Sequence, residues 1–360
     1  MPHRYAERRS GIGTGQRSGL LSTRNAAMNV ALFALGVAVI LAATVDLLWT
    51  ALWVDGGAGP ISARLSTATW RGLKAVGSGR RRLLSLAGPL ILVVTLFAWI
   101  GLLWAGWTVL FGASETALLS TRHGGFPNWV GRGYYVAYTM FTDGNGDYTP
   151  HGELWQIASG LTTASGMLFA TLSVSYILSV LGAVADKRSF ASSVHGLGER
   201  SEAFVRSGWN GDDLAQLDLP LNELASDIGR LAEQHKSYPI LHYYHSEGGT
   251  DASTVAVAVF DDALTLLRFG VPEERRPNEA LVKGARSSTS DYLQTLDEAF
   301  IEPVDRTPRP PDLDRLRAAG VPTMSDEEFA DALDDVDERR RRLLALVEAD
   351  AWYWPPLDAD

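Results

Sequence analysis

The chain has 360 residues and a net charge of −10, but its two halves differ. Residues 1–185 hold 13 basic and 7 acidic side chains, whereas residues 186–360 hold 19 basic and 35 acidic ones. The acidic half would repel phosphate, which argues against nucleic-acid binding, and the absence of cysteine excludes disulfides and thiol chemistry. Because nearly all long apolar runs lie in the basic half, the composition indicates a membrane part followed by an acidic soluble part.

Three charge-free runs are long enough to cross a bilayer, which needs about 20 apolar residues. They cover residues 25–45, 83–111 and 154–185. The first run follows a basic tail, residues 1–24, and predicts an N-terminal membrane helix over 25–54, with a cleaved signal peptide as the less favoured alternative. Arginines in the tail favour a cytoplasmic N-terminus, whereas three full crossings that end in the cytoplasm require an outside one. The sequence leaves two alternatives open: the first segment spans against the rule, or it dips into the membrane and returns.

The segment from residue 55 to residue 82 is basic and carries Arg64, Arg71 and Lys74. Its apolar residues recur at helical spacing. The pattern predicts an amphipathic helix in the membrane interface on the cytoplasmic side, with a solvated loop as the alternative.

The most informative stretch follows the second run and reads YYVAYTMFTDGNGDYTP over residues 134–150. Its aromatic and apolar start is long enough for two turns of helix. Glycines at alternate positions, Gly144 and Gly146, allow positive φ. Alternating left- and right-handed residues turn successive carbonyls to one side, where carbonyls from several chains can replace the hydration shell of an ion. Non-helical backbone at membrane depth must be buried in protein or line a water-filled path.

This stretch resembles the pore loop of the potassium-channel family, whose filter reads Thr-Val-Gly-Tyr-Gly-Asp. The positions that match in register are Thr142, Gly144, Gly146 and Asp147, with further matches at Tyr134, Tyr135, Thr139 and Pro150. Gly166 stands where the family places the hinge glycine of its inner helix. The resemblance implies an all-α membrane protein with a pore module over residues 83–185, made of an outer helix, a pore helix, a filter and an inner helix. With one filter per chain, it also implies a homotetramer in the bilayer around a central pore.

Two departures from the family concern selectivity. Asp143 replaces the family's Val, and Asn145 replaces its Tyr, although both family side chains point away from the ion. A carboxylate buried behind the filter must be neutralised, hydrogen-bonded or repositioned. The hydroxyl of Tyr138 is a candidate partner for it; alternatively, both side chains turn inward and line the path. Strict potassium selectivity is therefore not expected: K⁺ or Na⁺ are the expected permeant ions with weak selectivity, and some permeation of divalent cations is the alternative.

The predicted ion path has three parts. The filter consists of Thr142, Asp143, Gly144, Asn145 and Gly146, and Asp147 lies at the outer mouth, where a ring of carboxylates would concentrate cations. Below the filter, one face of the inner helix is expected to line a cavity, with helix–helix packing as the alternative. That face carries Thr162, Gly166, Phe169 and Ser173.

A calcium-binding loop is the competing hypothesis. Asp143, Asn145 and Asp147 match ligand positions one, three and five of the EF-hand pattern. Tyr148 stands where that loop needs Gly, and Leu154 stands where it needs Glu. The alternative function is therefore a membrane-anchored calcium sensor or scaffold that does not conduct.

The acidic half, residues 186–360, predicts a helical cytoplasmic domain. An apolar run over 253–269 closes at Gly270, and a capping box at Ser325 opens a helix to about Ala349. Arg339–Arg342 are interpreted as a solvated face. The three histidines between residues 235 and 245 are interpreted as a packed helix–turn element rather than a metal site.

The sequence as a whole favours a tetrameric, multi-pass cation channel in the cell membrane. No catalytic constellation, cofactor motif or resident metal site is evident, so no enzymatic activity is expected. The acidic domain carries no nucleotide fingerprint, and it is expected to assemble or regulate the tetramer through a ligand that the sequence does not identify.

Overall fold

The computed structural model describes most of the chain: residues 28–54, 57–77, 84–122, 124–246, 248–297, 304–350 and 352–355. The predicted basic tail, residues 1–24, lies outside the described residues. The described part is mostly helical. Three of its helices are long and apolar enough to cross a membrane: α1 (Val30–Leu52), α3 (Ala87–Gly112) and α5 (Glu153–Leu197).

Helix α1 lies antiparallel along α3 over its whole length. A Cβ on Gly36 would lie 2.7 Å from the backbone nitrogen of Leu110, so only glycine permits this approach. The Asn29 side chain caps α1, and the Asn29 amide donates to the Ala113 carbonyl at 2.7 Å. The first apolar run therefore does not dip and return. The start of α1 lies beside the loop that follows α3. We call this end of the helix bundle the hairpin end.

The predicted amphipathic helix forms as α2 (Pro60–Gly77), at the opposite end of the bundle, the domain end. Asp46 of α1 is fully buried there and caps α2, because it accepts from the Ile61 amide at 2.7 Å and from the Ser62 hydroxyl at 2.5 Å. It also accepts from the Trp99 indole of α3 at 2.9 Å. One carboxylate thus joins three helices.

The segment between α3 and α5 holds a short helix and a two-stranded sheet. Strand β1 (Leu118–Ser120) pairs antiparallel with β2 (Tyr148–Pro150), and α4 (Trp129–Met140) lies between them. The expected all-α architecture needs this one correction. The strands are short because they only close the base of the hairpin around α4.

Helix α5 continues 12 residues beyond the charge-free run and enters the C-terminal domain without a break. Phe190 and Val194 are fully buried in that domain's core. The boundary predicted between residues 185 and 186 is therefore a change in composition within one helix. It does not separate two structural elements.

The C-terminal domain surrounds helix α8, in which every residue is buried. Its helices are α6 (Ser201–Ser207), α7 (Asp218–Ser237), α8 (Ser253–Thr265) with a π-helical turn at Leu266–Gly270, α9 (Glu279–Asp297), α10 (Leu313–Ala318), α11 (Asp326–Asp334) and α12 (Asp337–Ala349). The predicted capping box is present at Ser325. The helix it opens stops at Asp334, so the single helix expected to run to Ala349 is two helices.

The arginines expected on a solvated face are partly buried. Arg339 bonds to both carboxylate oxygens of Asp261, which has no exposed surface. Arg340, 2% exposed, pairs with Asp262 through contacts of 3.0 and 3.1 Å. The apolar run that forms α8 carries two carboxylates; α12 supplies an arginine to each, and Arg286 of α9 also lies 2.9 Å from Asp261. The expectation was wrong because it considered the arginines only against neighbours in sequence.

The segment 238–245 joins the C-terminal domain to the membrane helices. Tyr244 packs on Gly88 of α3 so closely that a Cβ there would lie 2.5 Å from the ring. Lys187 of α5 is buried, and its ammonium donates to the carbonyls of Leu241 and Tyr244 at 3.3 and 2.9 Å. The inner end of α5 is thereby held by the domain.

A second contact at this junction involves α2. The His245 ring stacks on Trp70 with centroids 4.8 Å apart, and it pairs with Asp350. Asp350 also accepts from the Thr254 hydroxyl at 2.8 Å. Burial alone would raise the pKa of Asp350, but the hydrogen bond from His245 and the charge of Lys187 hold it below its ordinary value.

Candidate functional site

The candidate site is the loop from Thr142 to Asp147, which we call the TDGNGD loop, at the C-terminal end of α4. Helix α4 begins after Asn128, whose side chain accepts from the Gly131 amide at 2.9 Å. It ends with the Asp143 amide bonded to the Tyr138 carbonyl at 2.8 Å. The position of the first loop residues is therefore fixed by the end of α4.

The backbone of this loop alternates as its glycines predict. Thr142, Gly144 and Gly146 have φ of 59°, 64° and 77°, and Thr142 is the one non-glycine residue with positive φ in the described part of the chain. Such a conformation is unfavourable for a β-branched side chain. Within the described residues, no donor bonds to the carbonyls of Thr142, Asp143 or Gly144. The Asn145 carbonyl likewise accepts from no donor there, so the loop presents four neighbouring carbonyls without a partner in the described part of the chain.

Side chains from α4 brace the loop from behind. In the amide orientation that satisfies both of its atoms, Asn145 accepts from the Tyr134 hydroxyl and donates to the Asp147 carboxylate at 3.0 and 3.2 Å. Tyr134 packs edge-on against Tyr138. Asn145 and Tyr134 of α4 thus hold the loop through polar contacts.

The sequence suggests the Tyr138 hydroxyl as a partner for the Asp143 carboxylate, but the two groups are not bonded in the structure. It donates to the Tyr148 carbonyl at 2.9 Å and accepts from the Tyr148 amide at 3.2 Å. Tyr138 thus fastens the start of β2 to α4. The Asp143 side chain is exposed in the single chain, and no hydrogen bond or ion pair to it is found among the described residues.

Asp147 is the last residue of the loop, and it has a cationic partner. The Arg122 Nε lies 2.6 Å from a carboxylate oxygen of Asp147. Thr121 also reaches this point, because its hydroxyl donates to the Gly146 carbonyl at 2.9 Å. Sequence reasoning missed both residues. The available signal was the pair of short β-like segments on either side of α4, which places Thr121 opposite Asp147.

The predicted cavity face is buried inside the chain instead. Thr162, Phe169 and Ser173 are at most 1% exposed, and a Cβ on Gly166 would lie 2.3 Å from the Met140 carbonyl oxygen. This face packs on α3 and α4, so the prediction that it lines a cavity is wrong, and the packing alternative is correct. Gly166 is a close-approach position for the end of α4, and α5 continues through it as helix.

The face of α5 that the single chain leaves free is mainly apolar. Met167, Val174 and Leu178 are 58%, 56% and 64% exposed, and Thr171 is exposed between them. Spacings of three and four residues put these side chains on one face. Large apolar side chains on a continuous face mark a surface that meets lipid or another protein.

The geometry of the loop gives little support to the calcium-loop hypothesis. Asn145 and Asp147 are neighbours, but Tyr148, the expected turn position, starts strand β2. Within the described ranges, no group of three or more His, Asp or Glu side chains is placed to hold a metal ion.

Among known proteins, this chain is similar to YdjJ of Bacillus subtilis (strain 168), which is described as an uncharacterized membrane protein. The two are 41% identical over 328 residues, which cover 91% of this chain and 96% of YdjJ. No described protein family and no solved structure matches the chain. A match of this extent indicates a shared fold over nearly the whole molecule.

Proposed function

This chain belongs to the same family as the membrane protein YdjJ, and we propose that four copies of it form a channel for monovalent cations. The observation that carries the proposal is the TDGNGD loop. Its positive φ values alternate, its carbonyls at 142–145 lack a partner among the described residues, and it follows a short helix between two long apolar ones. Carbonyl oxygens arranged in this way can replace the water around a cation.

A single chain supplies only one side of such a path. Four loops around an axis would place four equivalent carbonyls at each level, and the apolar free face of α5 would meet neighbouring subunits or the pore. One filter per chain therefore requires a homotetramer, and a closed cyclic assembly is the ordinary form of a homo-oligomer.

Weak selectivity fits the side chains around the loop. Asn145 braces the loop through polar contacts with Tyr134 and Asp147, and Asp143 places four carboxylates close to the path of a tetramer. K⁺ and Na⁺ are the proposed permeant ions. A polar brace exchanges partners more easily than a packed aromatic ring, so the width of the path is less strictly fixed.

The proposed topology places the hairpin end outside the cell and the C-terminal domain in the cytoplasm. Arg64 and Arg71 are exposed on α2 at the domain end, where positive charge favours the cytoplasmic side. Because α5 continues into the domain and Lys187 is held there, a movement of the domain would act directly on this helix. The domain is thus the proposed site of regulation by a ligand of unknown chemistry.

The decisive experiment is ion flux through the purified protein in liposomes under K⁺, Na⁺ and Ca²⁺ gradients. We expect K⁺ and Na⁺ flux, loss of flux in Gly144→Ala, and unchanged flux in Gly124→Ala. Both glycines have positive φ, 64° and 67°, and neither has an atom within 3.9 Å of a Cβ placed there. The two substitutions therefore strain the backbone alike but differ in location. Absence of flux in the wild type, or a monomeric mass in detergent, would reject the channel.

A further inference from the structure

The two strands of the hairpin place residues 121 and 122 beside the outer end of the TDGNGD loop. Ser120 pairs with Tyr148 in the β1–β2 ladder, so the next residue on β1 lies opposite the last residue of the loop. The Thr121 amide continues the ladder by donating to the Asp147 carbonyl at 3.0 Å. The position of Thr121 is therefore set by strand pairing, independently of its side chain.

The side chain of Thr121 adds a contact that the ladder does not require. Its hydroxyl donates to the Gly146 carbonyl at 2.9 Å and lies 3.0 Å from the Asp147 carbonyl. Gly146 is the last of the three positive-φ positions. Its carbonyl is thus engaged by the protein, whereas those of residues 142–145 have no partner in the described chain.

From this difference we propose that Thr121 determines selectivity by withdrawing the Gly146 carbonyl from the ion path. The inference rests on the proposed channel function and adds a residue outside the loop itself. In a tetramer, four Thr121 hydroxyls would remove one complete ring of four carbonyl oxygens. Arg122, paired with Asp147 at 2.6 Å, holds the same end of the loop by its carboxylate.

The chemical consequence concerns the choice between K⁺ and Na⁺. The smaller ion holds its water more strongly, so it enters a path more readily when fewer protein oxygens have to replace that water. A path with one ring fewer therefore discriminates less against Na⁺. Freeing the Gly146 carbonyl restores a ring and favours K⁺.

The test compares Thr121→Val, which keeps the shape and removes the hydroxyl, with Thr121→Ser, which keeps the donor. The readout is the K⁺/Na⁺ permeability ratio in liposomes, together with the mass of the assembly in detergent. We expect Thr121→Val to raise the ratio about fivefold, the change that one hydrogen bond of ordinary net strength makes in an equilibrium. Thr121→Ser should retain the wild-type ratio, and all three proteins should have the same assembled mass.

Three outcomes would count against the inference. Flux with the same ratio in all three proteins would overturn the role of Thr121 and leave the channel intact. Loss of assembly in Thr121→Val alone would show that the hydroxyl holds the structure together and does not tune the path. No flux in the wild type would reject the channel and this inference together.

Discussion

Buried charged side chains have more hydrogen-bond partners at the domain end of the membrane helices than at the hairpin end. At the domain end, the buried carboxylate of Asp46 accepts from two amides, a hydroxyl and an indole, and the buried ammonium of Lys187 donates to two carbonyls. At the hairpin end, buried Arg132 donates to the carbonyls of Ser114 and Glu115, at 3.3 and 3.5 Å, and lies over the Trp129 ring at 5.7 Å, but its Nε has no partner among the described residues.

This difference concerns charged groups. At the domain end, Asp46 and Lys187 have partners within the chain, whereas three other polar atoms there, Gln234 Oε1, the Tyr244 hydroxyl and His245 Nε2, are buried without a partner among the described residues.

The hairpin end leaves loop carbonyls, Asp143 and part of Arg132 without partners in the described chain. The loop carbonyls and Asp143 are exposed in the single chain, so water can satisfy them there, whereas the Arg132 Nε is buried and its lack of a partner is costly. In the proposed tetramer, the exposed carbonyls and Asp143 are free to meet a cation or neighbouring subunits.

The largest expected effect is on the free energy of unfolding, when each of two buried arginines is replaced. Arg340→Met removes the ionic partner of buried Asp262 and should cost about 3–5 kcal/mol of unfolding free energy. Arg132→Met removes weak contacts to two carbonyls and a cation–π contact with Trp129 and should cost about 1–2 kcal/mol, although Arg132 is nearly as buried, 7% against 2% exposed. The measurement is thermal unfolding in detergent, followed by tryptophan fluorescence. Equal losses would mean that the hairpin end contains an ion pair which the single chain does not reveal.

A second prediction concerns Gly166, where α5 touches the end of α4. Gly166→Ala would bring a Cβ to 2.3 Å from the Met140 carbonyl oxygen and should destabilise the protein by up to about 3 kcal/mol through overpacking. Gly182→Ala is the matched control in the same helix, because no atom lies within 4 Å of its added Cβ. It should be neutral or stabilise by up to about 1 kcal/mol. If both variants unfold at the same midpoint, this contact does not position α4.

A third prediction concerns the pH dependence of the domain end. Burial, together with the charge of Lys187, lowers the pKa of His235 from 6.5 to about 3. The unfolded chain therefore binds a proton below pH 6.5 that the folded chain rejects, so stability is present above pH 6.5 and falls as the pH drops toward 3. At pH 5 the loss from this one group is about 2 kcal/mol.

The variant His235→Leu should reduce this dependence between pH 6.5 and pH 5 without abolishing it, because burial also lowers the pKa of His242, to about 4; the measurement is the midpoint of thermal unfolding. The control is His151→Leu in the exposed turn at the hairpin end, where the ring meets water in the folded and unfolded chain alike. A slope that survives His235→Leu unchanged would assign the acid sensitivity to another buried group.

Much of the fold is predictable because it depends on local pattern. The three apolar runs, the amphipathic helix α2 and the capping box at Ser325 are all found where period, length and capping residues predict them. The alternating backbone of the TDGNGD loop also follows from local chemistry, since glycine at every second position makes positive φ inexpensive. These features involve neighbours in sequence, so the sequence by itself determined them.

Long-range partners were decided only by the tertiary structure. Asp46 caps a helix 15 residues further along the chain, Arg339 finds Asp261 across 78 residues, and Thr121 meets Gly146 across 25. The face of α5 that carries Phe169 looks suitable for a cavity in sequence, yet it packs on α3 and α4. Helical phase shows which side chains share a face. Which face becomes buried depends on where the other helices pack, and one-dimensional periodicity carries no information about that.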